Sequence, residues 1–169
     1  MLGALDLLRS LRDAPDEEEA TVMAATDPAN PYGATLKWPS RRSTQNAGNK
    51  SDSAGSAGSA SNVVDAGRGP TRSVGSTVIL VNGALAAYLA RGDHMLLTFL
   101  PDAEPDRSKA GRAISRMLIE RARTGGDAPR GKLIEEIDGL PPALHSMAPF
   151  LLEAGFIDGA MGYRAKMRI

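Results

Sequence analysis

The stretch "STVILVNGALAAYLARGDHMLLTFLP", Ser76 to Pro101, decides the fold. Asn82-Gly83 is the strongest short hairpin signal a sequence carries, because both residues accept the positive φ that a two-residue turn demands. It joins "TVILV" to "ALAAYLA", and "RGD" at 91–93 makes a second turn into "HMLLTFL". The reading is a three-stranded antiparallel meander. Its runs are too apolar to face water on both sides, so further layers must cover it.

Downstream, "EPDRSKAGRAISRMLIERAR" reads as a helix with Ala110, Ala113, Ile114, Met117 and Leu118 on one face and Arg112, Arg116 and Arg123 largely elsewhere. "TGGDAPRG" breaks it. "KLIEEID" reads as one short strand in which Leu133 and Ile137 alternate with Glu135. A helix then begins near Ser146, takes Pro149 in its first turn and stops at Gly155. At the end of the chain Tyr163, Ala165, Met167 and Ile169 alternate with Arg164, Lys166 and Arg168, the period of a half-buried strand.

Upstream, Leu2, Leu5, Leu8 and Leu11 recur at helical spacing with Leu7 widening the stripe, which predicts an amphipathic helix over 2–13. That helix opens at Met1 with no capping residue ahead, and alone it is too short to be stable. The acidic run Asp16 to Glu19 is a solvated loop. "ATVMA" follows as a strand and "TDPANPYG" as a turn cluster, in which Asp27 accepts from backbone N–H groups beyond it. "ATLKW" resumes as a strand before Pro39. From Ser40 to Gly75 the composition collapses into Ser, Gly and Ala, including "SAGSAGSA", which has nothing to bury and reads as disordered.

The expected organisation is therefore an N-terminal helix and strand–turn–strand piece at 1–39, a disordered insertion at 40–75, and the main part of the same module at 76–169. The expected class is α+β. It is a mainly antiparallel, β-rich hairpin meander, partly barrel-like, with two or three short helices. Residues 20–38 should pack against 76–169, with the insertion looping out between two strands of one sheet.

Composition narrows function mostly by exclusion. Twenty basic and 20 acidic residues give no net charge, so global electrostatics favours no class of partner. The balance is uneven, with 3 basic and 7 acidic residues in 1–40, 5 and 2 in 41–75, and 12 and 11 in 76–169. No cysteine is present, which removes disulfides, thiolate zinc sites and cysteine nucleophiles. There is no signal peptide, no membrane-spanning run and no phosphate loop, and H-E-x-x-H, G-x-S-x-G and G-x-G-x-x-G are all missing. The expectation is a soluble, cytoplasmic protein that needs no cofactor or metal. His94 and His145 read as turn or cap residues. "RGD" reads as a turn and not an adhesion motif. Glu135 and Glu136, being adjacent, point to opposite faces of a strand.

The arrangement with most chemical content is Arg164, Lys166 and Arg168. On a strand they project from one face at intervals of about 6.5–7 Å, close to the spacing of successive phosphates along a nucleic-acid strand. A charged solvent face or edge guard explains the same pattern. Arg112, Arg116 and Arg123 would widen a basic surface that Asp106 and Glu120 dilute.

Four pieces in order, "MAATDPANPYGATLKWP", "VILVNGALAAYLARGDHMLLTFLP", "KLIEEIDG" and "MAPFLLEAGFIDGAMGYRAKMRI", resemble the extreme C-terminal region of the large helicase-related (Lhr) family of superfamily 2 DNA helicases. The resemblance spans nearly all of the chain outside 40–75, and its motifs are not catalytic ones. It implies a C-terminal module of a long ATP-dependent repair helicase whose motor is missing here, and hence a truncated or split gene product. It implies DNA as a weak or context-dependent partner, and docking to upstream winged-helix and helicase modules or to itself. It also implies an alternative, a DNA glycosylase-like module that excises uracil or damaged bases. Asp158, read as lying in the turn before the basic strand, is the one carboxylate there that could meet a flipped base, but a turn-forming Asp before Gly159 is the preferred reading and Asp158 is not assigned to a site. No catalytic residue is assigned.

Overall fold

The computed structural model describes residues 18–40, 69–124 and 133–165. The predicted helix over 2–13 and most of the Ser/Gly/Ala run lie outside the described residues. The elements in chain order are β1 (Ala20–Ala24), β2 (Thr77–Val81), β3 (Ala84–Leu89), β4 (Met95–Thr98), α1 (Asp106–Thr124), β5 (Leu133–Ile134), β6 (Glu136–Ile137), a 3-10 turn (Pro142–Leu144), α2 (Ala148–Ala154), β7 (Phe156–Gly159) and β8 (Gly162–Ala165).

The meander forms as its turns dictate. Asn82 and Gly83 take φ of 50° and 78°, the conformation that matches the twist of the strands they join. The Asn82 side chain also accepts from the Glu19 N–H at 2.9 Å, fixing the entry of β1. Gly92 and Asp93 turn at φ of 92° and 62°, so "RGD" is the β3–β4 connection. β1 pairs antiparallel with β2, bringing Val22 opposite Ile79 across the gap in sequence. The large sheet runs β1-β2-β3-β4-β6, antiparallel except for the parallel β4–β6 pair, and a small antiparallel sheet runs β5-β8-β7. The class is α+β and β-rich, and the described strands do not close into a barrel.

Every residue of β2 is buried because the large sheet is covered on both faces. On one face Ile79, Leu89 and Leu96 pack against Ile114 and Leu118 of α1, Leu151 of α2, and Ile134, Phe156 and Tyr163 of the small sheet. On the other, Val78, Leu80, Leu85, Tyr88 and Leu97 are roofed by Ala25, Tyr32 and Trp38. Fully burying a side chain such as Ile114 or Leu118 contributes about 1.5–3 kcal/mol.

That roof departs from the expected strand at "ATLKW". Pro31 O accepts from the N–H groups of Thr35 and Leu36 at 3.0 and 2.9 Å, and Gly33 N–H donates to Leu36 O at 2.7 Å, which winds the segment into a turn. Winding it brings Trp38 over Gly33, where a Cβ would strike the indole, and sets the ring edge-on to Tyr88 with centroids 5.7 Å apart. Asp27 Oδ1 accepts from Ala29 N–H at 2.8 Å, the local turn bond expected of it. Arg72 stitches the loop from outside, donating to the carbonyls of Asn30 and Asp27 at 2.6 and 3.1 Å.

The expected single strand at "KLIEEID" is two strands in two sheets. β5 joins β8, the chain bends at Glu135, and β6 joins β4. The N–H groups of Glu135 and Glu136 both donate to His94 O, at 2.9 and 3.2 Å. The bend buries Ile134 and Ile137 completely, three residues apart, where strict alternation paired Leu133 with Ile137. α2 keeps its predicted punctuation, with Pro149 in the first turn and Gly155 ending it at φ 108°.

Candidate nucleic-acid interface

Of the three cations predicted to share a strand face, Arg164 is described, and Lys166 and Arg168 lie outside the described residues. Tyr163 and Ala165 point into the core and Arg164 points out, flanked across the small sheet by Leu133 of β5 and Ile157 of β7. No ion pair holds Arg164 among the described residues.

A second cationic feature is built between the two helices. Arg112, Arg116 and Arg123 are exposed along α1 at spacings of four and seven residues, so they share one stripe with a rise of about 1.5 Å per residue. α2 supplies the facing wall, and together they enclose a cleft of about 280 Å³ lined by Arg112, Arg116, Arg123, Ile119, Phe150 and Glu153, among others. The Phe150 ring is seated on Gly111, where a Cβ would come within 2.6 Å of it. The Arg112 guanidinium lies 5.8 Å from the Phe150 centroid, and its Nε is 3.4 Å from Glu153 Oε2. In this exposed geometry the ion pair contributes at most about 1 kcal/mol. Arg116 and Arg123 have no carboxylate partner among the described residues. The cleft thus combines an aromatic ring, a guanidinium paired with Glu153 and two that form no ion pair among the described residues, with the Glu120 carboxylate also in its lining.

Reading α1 alone identified these arginines but not the cleft, because Phe150 and Glu153 arrive some 40 residues later in sequence. One local signal was present. Gly111 sits mid-helix, where glycine costs roughly 0.5–1 kcal/mol relative to alanine, and such a residue marks a close approach.

Both histidines are structural. His145 is buried; its Nδ1 accepts from Met147 N–H at 3.1 Å and its Nε2 lies 3.1 Å from Asp138 Oδ2. A neutral imidazole has one donor and one acceptor, so both nitrogens are committed and neither is free to move a proton for a substrate. Asp138 in turn accepts from Thr98 N–H at 2.9 Å and from the Thr98 hydroxyl. His94 is an exposed turn residue with Nδ1 3.7 Å from Glu135 Oε1. Asp158 lies within β7, opposite Tyr163, and not in the turn; it is exposed and does not line the cleft between α1 and α2. Tyr163 titrates above its usual range because it is buried, with the Asp158 charge adding to the effect. Among the described residues no three His, Asp or Glu side chains converge as metal ligands, and no helix is long and apolar enough to cross a membrane.

No family model matches the chain. A protein of Mycolicibacterium smegmatis (strain ATCC 700084 / mc(2)155), named Lhr helicase/probable uracil glycosylase, is 35% identical over 131 residues. This chain is related to the Lhr helicases. The match takes in 70% of this chain and 7% of that protein, so the chain spans a small fraction of the length of its Lhr relative. The Lhr likeness read from the motif order is borne out. The basic surfaces above are features of a helicase-related segment.

Proposed function

We propose that this chain is a non-motor, DNA-contacting module of an Lhr-type ATP-dependent helicase, cytoplasmic and engaged in DNA repair. The observation that carries the reading is the cleft between α1 and α2, where Arg116 and Arg123 form no ion pair among the described residues and outnumber Glu120 beside Phe150, on a chain related to a helicase. Arginines along one face of a helix neutralise phosphates, and an aromatic ring beside them offers a face to a base. Arg164, with Lys166 and Arg168, supplies a further backbone contact. Docking to upstream helicase and winged-helix modules, or to a second copy, orients the surface in the assembled protein.

Fluorescence-anisotropy titration with a labelled single-stranded oligonucleotide across a salt series tests this. Each phosphate neutralised contributes about 0.7 to the salt slope for single strands, so Arg116→Ala with Arg123→Ala should lower the slope by roughly 1–1.5. No binding at low salt, or a slope unmoved by the double substitution, would overturn the DNA reading.

A second reading has one observation in its favour, the words "probable uracil glycosylase" in the name of the relative. It makes this chain a module that excises uracil or damaged bases. Incubation with a uracil-containing oligonucleotide, followed by a search for abasic sites, separates the two. Product formation that Asp158→Asn abolishes would replace the binding reading with this one.

A further inference from the structure

The face of the large sheet turned away from α1 carries a cavity of about 250 Å³ lined by Thr71, Ser73, Ser76, Tyr88, Arg91 and Met95, among others, with Ala90 and Leu97 completing an apolar wall. Four of those residues are hydroxyl-bearing, and their oxygens form a closed ring. The Tyr88 hydroxyl donates to Ser76 Oγ at 2.9 Å. Ser76 Oγ and Ser73 Oγ are 2.7 Å apart, Ser73 Oγ and Thr71 Oγ1 3.2 Å, and Thr71 Oγ1 and the Tyr88 oxygen 3.3 Å. A hydroxyl has one hydrogen to give and two lone pairs to offer. Once Tyr88 donates to Ser76, each hydrogen around the ring is spent on the next oxygen. The Tyr88 hydrogen is further shared with Thr71 O at 3.2 Å. Whichever way the ring runs, its unused capacity consists of lone pairs.

That accounting constrains what the cavity can hold. Tyr88 and Ser76 are almost fully buried, so a ligand meets the ring at Thr71 and Ser73, and it must approach them with a hydrogen-bond donor. A carbonyl there would face lone pairs. Arg91, at the mouth beside Gly75, offers only donors and so calls for an acceptor on the same molecule. Ala90, Met95 and Leu97 suit a flat apolar face. An apolar cavity of about 150 Å³ holds benzene, so this one accommodates a heteroaromatic ring or bicycle. Burial acts to raise the Tyr88 phenol, yet hydrogen bonding with the Ser76, Thr71 and Ser73 hydroxyls and the Thr71 backbone brings it below its ordinary value.

We propose that this cavity is a pocket for an unpaired nucleobase bearing an exocyclic amine, such as cytosine or adenine. The amine donates to Thr71 and Ser73, and a ring nitrogen or carbonyl beside it accepts from Arg91. Uracil and thymine offer one N3–H between two carbonyls, so with one carbonyl on Arg91 the other meets lone pairs at Thr71 or Ser73, and they bind more weakly. Supply of the base by a DNA strand rests on the proposed DNA contact; the pocket itself does not, because a free nucleoside has the same edge. Tyr88 is a positioning residue that closes the ring without touching the base.

The test uses the full chain and amide chemical-shift mapping with cytidine, adenosine and uridine, each at about 10 mM, above the millimolar Kd of a weak site. Cytidine and adenosine should shift the amides of Thr71, Ser73 and Arg91, and uridine should bind about tenfold or more weakly, since one of its carbonyls is left against lone pairs. Tyr88→Phe, checked for an unchanged melt, frees the Thr71 hydrogen to meet a carbonyl, so discrimination against uridine should collapse. Equal binding of the three nucleosides, shifts elsewhere, no shifts, or discrimination that survives Tyr88→Phe would each overturn the proposal. Oligo-dC and oligo-dT anisotropy forms the second arm. Strand binding without nucleoside discrimination upholds the DNA contact and removes the pocket. Nucleoside discrimination without strand binding upholds the pocket, with free nucleoside as its source, and removes the DNA contact.

Discussion

Asp138→Asn isolates the bond network that ties the end of β6 to β4 and to the turn leading into α2. Asp138 follows β6 directly and has a φ of 52°, a conformation that Asn tolerates as well as Asp, so the substitution leaves the backbone unstrained. What changes is one oxygen. Oδ1 accepts from Thr98 N–H, which an amide oxygen continues to do. Oδ2 accepts from the Thr98 hydroxyl and from His145 Nε2, and in Asn that position becomes an NH₂. Thr98 can rotate its hydroxyl and accept instead. His145 cannot adapt, because accepting at Nε2 moves its hydrogen to Nδ1, where it would confront the Met147 N–H already bonded there at 3.1 Å. One donor–donor contact is unavoidable at a histidine whose side chain is 4% exposed.

A hydrogen bond to a charged group contributes about 1.5–3 kcal/mol, and leaving a buried donor unsatisfied costs about 1–3 kcal/mol. We expect Asp138→Asn to destabilise by about 2–4 kcal/mol, discounted from the full sum because Asp138 keeps 18% of its side chain exposed. With urea slopes of about 1–3 kcal/mol/M, the midpoint should fall by roughly 1–2 M. His145→Ala removes the offending donor, so the double variant should be more stable than the two single losses predict, by about 1 kcal/mol or more. A single-variant loss below about 0.5 kcal/mol, or strict additivity, would refute the claim that His145 is locked in the Nε2–H tautomer.

Other outcomes follow from single contacts. Gly162→Ala places a Cβ onto Ile134 O at a φ of 123°, so it should cost about 2–5 kcal/mol in a thermal or urea melt, with Gly159→Ala as a milder control. Gly111→Ala puts a Cβ within 2.6 Å of Phe150 and should displace the ring. Binding to single-stranded DNA should then weaken several-fold while the salt slope stays put, because no charge is altered. Tyr163 holds its proton more tightly folded than unfolded. Its contribution is therefore fully present below the ordinary value of 10.0 and is lost as pH climbs from there through the raised folded value. Tyr163→Phe should flatten that alkaline loss, followed by urea midpoints between pH 9 and 11.

Which parts of this architecture were readable in advance depends on the range of the interactions that set them. The turn at Asn82-Gly83, the helix over 106–124 and the Pro149-to-Gly155 helix are punctuated by their own residues, and the structure keeps all three. The strand at Glu135 failed because nothing within "KLIEEID" announces that two sheets compete for it. The bend is imposed by the His94 carbonyl, some 40 residues away, which accepts from two successive N–H groups. "ATLKW" failed for a related reason, since its strand-like residues wind up so that Trp38 can reach Tyr88 across the sheet. The cleft between the helices was half legible, three arginines from α1 without the ring and carboxylate that α2 brings. These misses share a location: each lies where a segment serves two layers at once. The bend at Glu135 hands the chain from the small sheet to the large one, and Asp138 and His145 fasten the next few residues to Thr98 of β4 and the start of α2. The position of α2, and with it Phe150 in the cleft, therefore depends on that crossover. If the cleft holds DNA, Asp138→Asn should weaken binding even under conditions where the chain remains folded, although it alters no residue lining the cleft.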